Sequence, residues 1–131
     1  MTLKLTLKPG ESVFIGTTRM TVDSRSTCII YIDGDAPILR ANEMLDAAGD
    51  DQPLQRFRYV LQEMYLKNDF VTLIGDYFDA AAALVASRPE AREGVARANQ
   101  LLATGALYEA LKVGKQMAQS EVIELSQRRA G

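Results

Sequence analysis

The chain opens with strict alternation of apolar and polar residues over positions 3–8, where leucine occupies every odd position and lysine or threonine every even one. This spacing predicts a strand with one apolar face and one polar, basic face. The turn dipeptide Pro9-Gly10 ends that strand. Residues 12–16 then predict a second strand that runs back beside the first.

Three further segments before residue 45 carry strand patterns. Met20 and Val22 supply the inward positions of a third strand, and residues 38–40 predict a short fifth one. Residues 28–32 are apolar at every position, which is expected of a buried central strand covered on both faces by a second layer or another subunit. The sequence therefore predicts a four- or five-stranded antiparallel sheet over residues 2–40, in a first domain of residues 1–45, with Asn42 available to cap a following helix.

The rest of the chain has helical periodicity. Apolar residues recur three and four positions apart in four segments, which begin near Pro53, Asn68-Asp69, Pro89 and Leu107. Asn68-Asp69 breaks the first helix and can cap the second, and Val122 and Leu125 continue the apolar stripe of the fourth. The small, acidic stretch 48–51 is the predicted linker to a second domain of residues 52–131. The predicted fold class is α+β, with a small N-terminal antiparallel sheet followed by a C-terminal bundle of about four helices.

Four apolar residues lie off the helical stripes, namely Tyr59, Val60, Leu66 and Val71. They predict either a surface that packs against another protein or a second core face against the β domain. Because residues 28–32 also exceed what so small a sheet can cover, we expect a homodimer rather than a monomer.

Composition narrows the range of functions. The 131 residues include 15 Lys and Arg against 17 Asp and Glu, a net charge of −2, so any contact with phosphates must come from a local basic patch. The chain has no histidine, and its single cysteine, Cys28, lies inside an apolar run that predicts a buried core residue. Common general bases and metal-ligand clusters are therefore missing. We expect no enzymatic activity, no cofactor, no metal and no small-molecule substrate.

Two further features favour simple interpretations. Asp33 and Asp35 could bind a cation, but two carboxylates in a hairpin loop are more often solvated turn residues. The chain contains no apolar stretch of the roughly 20 residues that span a bilayer, and it lacks a signal-peptide core. We therefore expect a cytoplasmic protein that does not contact membranes.

Lys4 and Lys8 admit two interpretations, as charges that protect an exposed sheet edge from aggregation or as contacts to phosphates. A family resemblance favours the second. Its motifs, in chain order, are the opening Leu-Lys-Leu-Thr-Leu-Lys-Pro-Gly-Glu of residues 3–11, Ala36-Pro37-Ile38-Leu39-Arg40, Met64-Tyr65-Leu66 and Tyr108-Glu109-Ala110-Leu111-Lys112. Together they resemble the flagellum biosynthesis repressor FlbT family over nearly the whole chain. The resemblance implies a post-transcriptional regulator that acts on the 5′ untranslated leader of flagellin mRNA, usually lowering translation or message lifetime, with a functional link to the regulator FlaF.

A second resemblance covers residues 1–45 and concerns the small RNA-binding regulators of the CsrA family. Residues 5–11 are similar to that family's opening Leu-Thr-Arg-Arg-x-Gly-Glu, and Ile15-Gly16 to its Ile-Gly after the first turn. In that family the first strand and a late arginine form the RNA-binding edge of a strand-swapped dimer. The resemblance implies an RNA role for Thr6, Lys8 and Arg40, while Leu7 stands where that family has an arginine.

Two hypotheses of different classes remain. In the first, the β domain binds RNA through Lys4, Thr6, Lys8 and Arg40, with the cations on phosphates and the strand edge reading unpaired bases. In the second, the chain is a protein-binding adaptor for flagellin or FlaF, and an apolar groove of the helical half holds the partner. Added salt discriminates them, because phosphate contacts weaken steeply with salt and an apolar groove barely responds.

Overall fold

The structure, a computed structural model, describes residues 2–23 and 25–130, and the side chains of residues 2–23 and 25–120. The strands are β1 (Thr2–Leu7), β2 (Ser12–Ile15), β3 (Thr18–Thr21), β4 (Cys28–Asp33) and β5 (Ile38–Arg40). The helices are α1 (Pro53–Lys67), α2 (Ile74–Ser87), α3 (Arg92–Ala103) and α4 (Leu107–Ala130). The predicted α+β class is confirmed, since antiparallel strands precede four helices.

The strands form two small sheets rather than one. β1 pairs with β4, and β2 lies between β3 and β5, with every pairing antiparallel. The prediction that β2 runs back beside β1 is therefore wrong. Alternation specifies which face of a strand is buried, but it does not specify which strand becomes its neighbour.

An apolar core joins the two sheets. Leu5 and Leu7 from the inner face of β1 pack with Val13 of β2 and with Val22, and Leu7 and Val13 are completely buried. Half-buried residues surround this cluster, namely Met20, Cys28, Ile30, Ile32 and Ile38. The alternation over residues 3–8 thus has the predicted consequence at Leu5 and Leu7, which supply the core, but not at Leu3, which is 43% exposed and lies outside it.

β4 is not the buried centre that its apolar sequence predicts. Its exposure alternates along the strand, and Ile29 and Tyr31 are 55% and 64% exposed. Cys28 is half-buried rather than fully buried, and its thiol donates to the carbonyl oxygen of Ser26 at 3.6 Å. Within this chain, the β1–β4 pair has one face on the core and one face open to solvent.

The chain divides into two compact units. The β unit comprises Met1–Met44 with Leu66–Asn68, and the helical unit comprises Leu45–Tyr65 with Asp69–Gly131. Buried residues from all four helices form the core of the helical unit, with Phe57, Leu61, Tyr77 and Ala98 among the least exposed. Gln62 of α1 is also buried, and its polar groups are satisfied there. Its side-chain amide accepts from the Leu45 N–H at 2.8 Å and donates to the Leu45 carbonyl at 3.1 Å.

Several predicted helix boundaries shift. Asn42 caps no α-helix, since it lies inside a short 3₁₀ turn, Ala41–Glu43, that has no side-chain cap. Asn68 ends α1 in a left-handed conformation (φ 49°), and Asp69 accepts from the N–H of Thr72 at 3.0 Å instead of capping α2. Ordinary turns therefore occupy residues 70–73, and α2 starts only at Ile74.

One further helix prediction is confirmed, and another concerns side chains that the structure does not describe. Pro53 begins α1 as expected, and the Gln52 carbonyl accepts from the Arg56 N–H at 3.0 Å. The side chains of Val122 and Leu125 lie outside the described residues. Among the helices of the described chain, none combines the length and apolar character needed to cross a membrane.

Candidate nucleic-acid interface

The turn after β1 places Lys8 at a fixed point. Pro9 and Gly10 occupy its central positions, and Gly10 has φ +80°, as the third residue of a type II turn requires. The Glu11 N–H donates to the Lys8 carbonyl at 3.1 Å and closes the turn. Val22 stabilises this turn through two backbone hydrogen bonds, because its carbonyl accepts from the Gly10 N–H and its N–H donates to the Glu11 carbonyl.

Glu11 connects this turn to Arg40. One carboxylate oxygen accepts from the Lys8 backbone N–H at 2.8 Å, and the other accepts from Arg40 Nη1 at 3.2 Å. Arg40 also donates from Nη1 and Nη2 to the Thr6 carbonyl, at 3.4 and 3.3 Å. The guanidinium of β5 is therefore held against the end of β1, which belongs to the other sheet.

These bonds use only part of the Arg40 donor set. A guanidinium has five N–H groups, and the pair on Nε and Nη2 points in parallel, as bidentate contact with a phosphate or a base edge requires. The bonds to Thr6 and Glu11 take Nη1 and the inner hydrogen of Nη2. Among the described residues, none accepts from the parallel edge, and the side chain is 32% exposed.

Lys4 and Thr6 lie on the outer face of β1. Their cross-strand partners on β4 are Tyr31 for Lys4 and Ile29 for Thr6. Both β1 side chains are exposed, and so are both partners. The structure thus brings Thr6, Lys8 and Arg40 together at one end of β1, with Lys4 two residues earlier on the open face.

A shallow depression of about 540 Å³ adjoins the turn, and Lys8 is the one predicted site residue among those that line it. Lys8 and Glu11 line it together with Arg19 of β3 and Asn42 of the 3₁₀ turn. Arg19 reaches this position because β3 pairs with β2 in the register that sets Arg19 opposite Phe14. Because Met20 was predicted to point inward, alternation implies that the neighbouring Arg19 points outward, but only the β2–β3 register shows that Arg19 lines the same depression as Lys8.

The helical unit has a cavity of its own, of about 320 Å³. Its wall combines the apolar side chains of Leu54 and Met117 with Arg97 and Glu93, so neither sign of charge prevails. On α1, burial lowers the pKa of Arg58, whose Nε has no hydrogen-bond partner among the described residues. No group of three metal-ligating side chains occurs in the described part of the chain. The mixed charges make this cavity a poorer anion site than the depression beside Lys8.

Comparison with known proteins identifies the family. The model of the family described as "Flagellar protein FlbT" matches residues 3–124. The probable flagellum biosynthesis repressor protein FlbT of Rhodopseudomonas palustris strain TIE-1 is 36% identical over 113 residues, which cover 86% of this chain and 88% of that protein. The protein of the same name from strain ATCC BAA-98 / CGA009 matches to the same extent.

A more distant relative agrees. The probable flagellum biosynthesis repressor protein FlbT 1 of Bradyrhizobium diazoefficiens is 31% identical over 119 residues, which cover 89% of this chain and 80% of that protein. No solved structure matches this chain. The matched residues include the whole interface described above, from Lys4 to Arg40, and the chain belongs to the FlbT family.

Proposed function

We propose that this chain is a cytoplasmic, non-enzymatic regulator of flagellar synthesis that binds the 5′ untranslated leader of flagellin mRNA and represses its translation or promotes its decay. Support comes from the family and from the relatives named as flagellum biosynthesis repressors. The observation that carries the proposal is the held guanidinium of Arg40, which keeps a bidentate edge free at the end of β1. Repression of this kind needs no catalytic group, because a bound protein can occlude the leader.

Each proposed RNA-binding residue has a distinct role. Lys4 and Lys8 neutralise phosphates, and the exposed Thr6 hydroxyl offers a hydrogen bond to the sugar or a base. Arg40 contacts a phosphate or a base edge with its parallel N–H pair. Arg19 adds a second cation to the depression beside Lys8.

The low overall charge sets the character of this binding. With a net charge of −2, the chain has no general attraction for nucleic acid, so binding depends on a few contacts in the right places. We expect a salt dependence that corresponds to about three or four phosphates, since each neutralised phosphate contributes a slope of roughly 0.7–0.9.

Titration of a fluorescent flagellin leader transcript at several salt concentrations tests the proposal. Lys4→Ala and Lys8→Ala should each lower the salt slope by about one, as loss of a phosphate contact does. Arg40→Ala should cost about 1–3 kcal/mol of binding free energy if its fork is engaged. Lys115→Ala, which removes an exposed lysine of the helical unit, is the matched control and should leave binding unchanged.

Two results would contradict direct RNA recognition by this face. One is that folded Lys4, Lys8 and Arg40 variants all bind the leader like the parent. The other is that the parent binds leader RNA only when FlaF is added.

A second candidate function is that of an adaptor for flagellin or FlaF, and the exposed surface of α2 and of the turn before it favours it. Val71 in that turn and Phe78 of α2 are 81% and 56% exposed, and both lie in the helical unit. Asp76 and Asp79 are also exposed on α2, and this helix carries no lysine or arginine. Exposed apolar groups with acidic residues and no cation suit an amphipathic helix with basic flanks.

The four apolar residues that lie off the helical stripes differ in burial. Val60 is buried in the helical core and Leu66 is buried as well, Tyr59 is half-buried, and Val71 remains on the surface. Phe78→Ser should therefore weaken calorimetric binding of purified flagellin or FlaF without affecting leader RNA, and Lys4→Ala should do the reverse. If Phe78→Ser changes neither interaction, the adaptor function through α2 is wrong.

A further inference from the structure

Tyr31 is an aromatic residue whose side chain is mostly exposed to solvent and lies outside the core of the β unit. It lies in the middle of β4, where Cys28, Ile30 and Ile32 face the core and the alternate residues face outward. Its side chain is 64% exposed, and the neighbouring outward residue Ile29 is 55% exposed. Large apolar groups that lie together on an open strand face mark an interaction surface more often than isolated ones do.

The residues around Tyr31 indicate what binds there. The register sets Lys4 directly opposite Tyr31, where paired Cβ atoms on neighbouring strands are about 4.5–5.5 Å apart. Thr6 and Ile29 form the next pair on the same face. Asp33 follows at the far end, where its carboxylate accepts from the Thr2 hydroxyl. Among the described residues, no other aromatic ring packs on Tyr31.

The position of Lys4 favours one of two classes of partner. An apolar protein surface would bury the lysine ammonium without a counter-charge, which is costly, so a protein partner would have to supply a carboxylate opposite Lys4. Single-stranded RNA satisfies both groups at once, because a base stacks on an aromatic ring while the adjoining phosphate pairs with the ammonium. A duplex does not, since its bases are already stacked and offer no free face.

We infer that Tyr31 is a base-stacking platform, so that the outer face of the β1–β4 pair takes a single-stranded segment with one unpaired base on the Tyr31 ring and its phosphate on Lys4. This inference rests on the proposed function and deepens it by specifying the form of RNA. It predicts that the leader is bound in an unpaired region, and that Tyr31 contributes to affinity without contributing to the salt slope.

The experiment compares leader RNA binding by three variants of the full chain. Tyr31→Ala should weaken binding about five- to 150-fold, the range for losing one base–aromatic stack, with an unchanged salt slope. Tyr31→Phe keeps the ring and should bind within about twofold of the parent. Ile29→Ala, on the same face of the same strand, is the control for loss of apolar area and should have a smaller effect than Tyr31→Ala.

A direct readout of stacking completes the test. A single-stranded 12-mer taken from the leader, with 2-aminopurine placed at successive positions, should show quenching at one position with the parent and Tyr31→Phe, but not with Tyr31→Ala. The same 12-mer annealed to its complement should bind more weakly than the single strand.

The outcomes separate this inference from the proposed function. If Tyr31→Ala binds like the parent while Lys4→Ala and Arg40→Ala weaken binding, the stacking role is wrong and direct RNA binding stands. If Tyr31→Phe loses as much as Tyr31→Ala, the hydroxyl rather than the ring is engaged, and stacking is again wrong. If Tyr31→Ala changes the molecular mass measured by light scattering and leaves RNA affinity intact, the face is a subunit contact. If the parent binds no leader RNA, the proposed function itself fails.

Discussion

Glu11→Gln should raise the affinity of the chain for leader RNA. Glu11 weakens the attraction of Arg40 for a phosphate, because its carboxylate lies 3.2 Å from Nη1 and partly neutralises the guanidinium while the parallel edge stays open. The substitution removes this negative charge but keeps a side-chain oxygen that accepts from the Lys8 N–H, so the turn retains its bond. Arg40 then meets a phosphate without a carboxylate beside it.

The expected gain follows from Coulomb's law. A phosphate on the free edge of Arg40 would lie on the order of 6 Å from the Glu11 carboxylate, where repulsion in water is roughly 0.7 kcal/mol. The Glu11–Arg40 pair, with both side chains about one-third exposed, is worth at most about 1 kcal/mol, and RNA on the parallel edge leaves it formed. The affinity should therefore rise about threefold from the lost repulsion, and the salt slope should steepen by up to about one.

Fluorescence anisotropy of a labelled leader transcript at several salt concentrations measures both quantities. Asp35→Asn is the matched control, because it removes the same charge from an exposed residue beyond the opposite end of the β1–β4 pair. That end lies about 17 Å from the turn by the rise of β1, which exceeds the screening length at physiological salt. Unchanged affinity in folded Glu11→Gln would mean that Arg40 does not contact RNA. A tenfold loss would mean that Glu11 acts by orienting Arg40, and either result would refute the charge argument.

Unfolding measurements on four variants test the fold itself. Leu7→Ala should destabilise the β unit by about 2–5 kcal/mol in urea, because Leu7 is completely buried at the centre of its core; a loss under about 1 kcal/mol would show that this core is misassigned. Gly10→Ala should cost about 1–2 kcal/mol of stability through backbone strain alone, since φ is +80° and no atom lies within 4 Å of the added methyl group. Gly75→Ala adds a methyl group that also meets open space, but in the α2 helix, and it should be neutral or stabilising. Burial raises the pKa of Tyr77 to about 12, above its ordinary 10.0. The phenol of the unfolded chain therefore ionises first, and stability is lost as the pH rises between these two values. Tyr77→Phe should flatten this decline, and an equal slope of stability against pH in the variant and the parent would exclude the buried phenol as its source.

The sequence predicted the strands and helices of this fold better than it predicted which strands pair. Alternation placed Leu5 and Leu7 on the core side of β1 and located the strand correctly, since the period of a strand is a local property. The pairing of β1 with β4 depends on which surfaces fit together across the chain, which no local pattern encodes. For the same reason, an apolar residue such as Ile29 was interpreted as buried, although composition alone does not show whether a second layer covers it.

The candidate site was also predictable only in part, since the sequence indicates which side chains point outward but not which of them meet. The outward positions of Lys4 and Thr6 follow from the alternation of β1, and the structure leaves both exposed. The bonds from Arg40 to Thr6 and Glu11 bring the two sheets together and could not be inferred from spacing. Arg19 entered the site through the β2–β3 register, so only the fold reveals its proximity to Lys8.

The pairing of β1 with β4 has a consequence for the order in which the chain matures during synthesis. β1 is made first, yet Thr2 pairs with Asp33, 31 positions later, and a ribosome needs about 2–6 s to add that many residues. The β2–β3 hairpin is complete by Thr21 and can close while β4 is still absent. β1 therefore lacks its pairing partner on the nascent chain, and it completes its sheet later than the β2–β3 hairpin although it is synthesised before that hairpin.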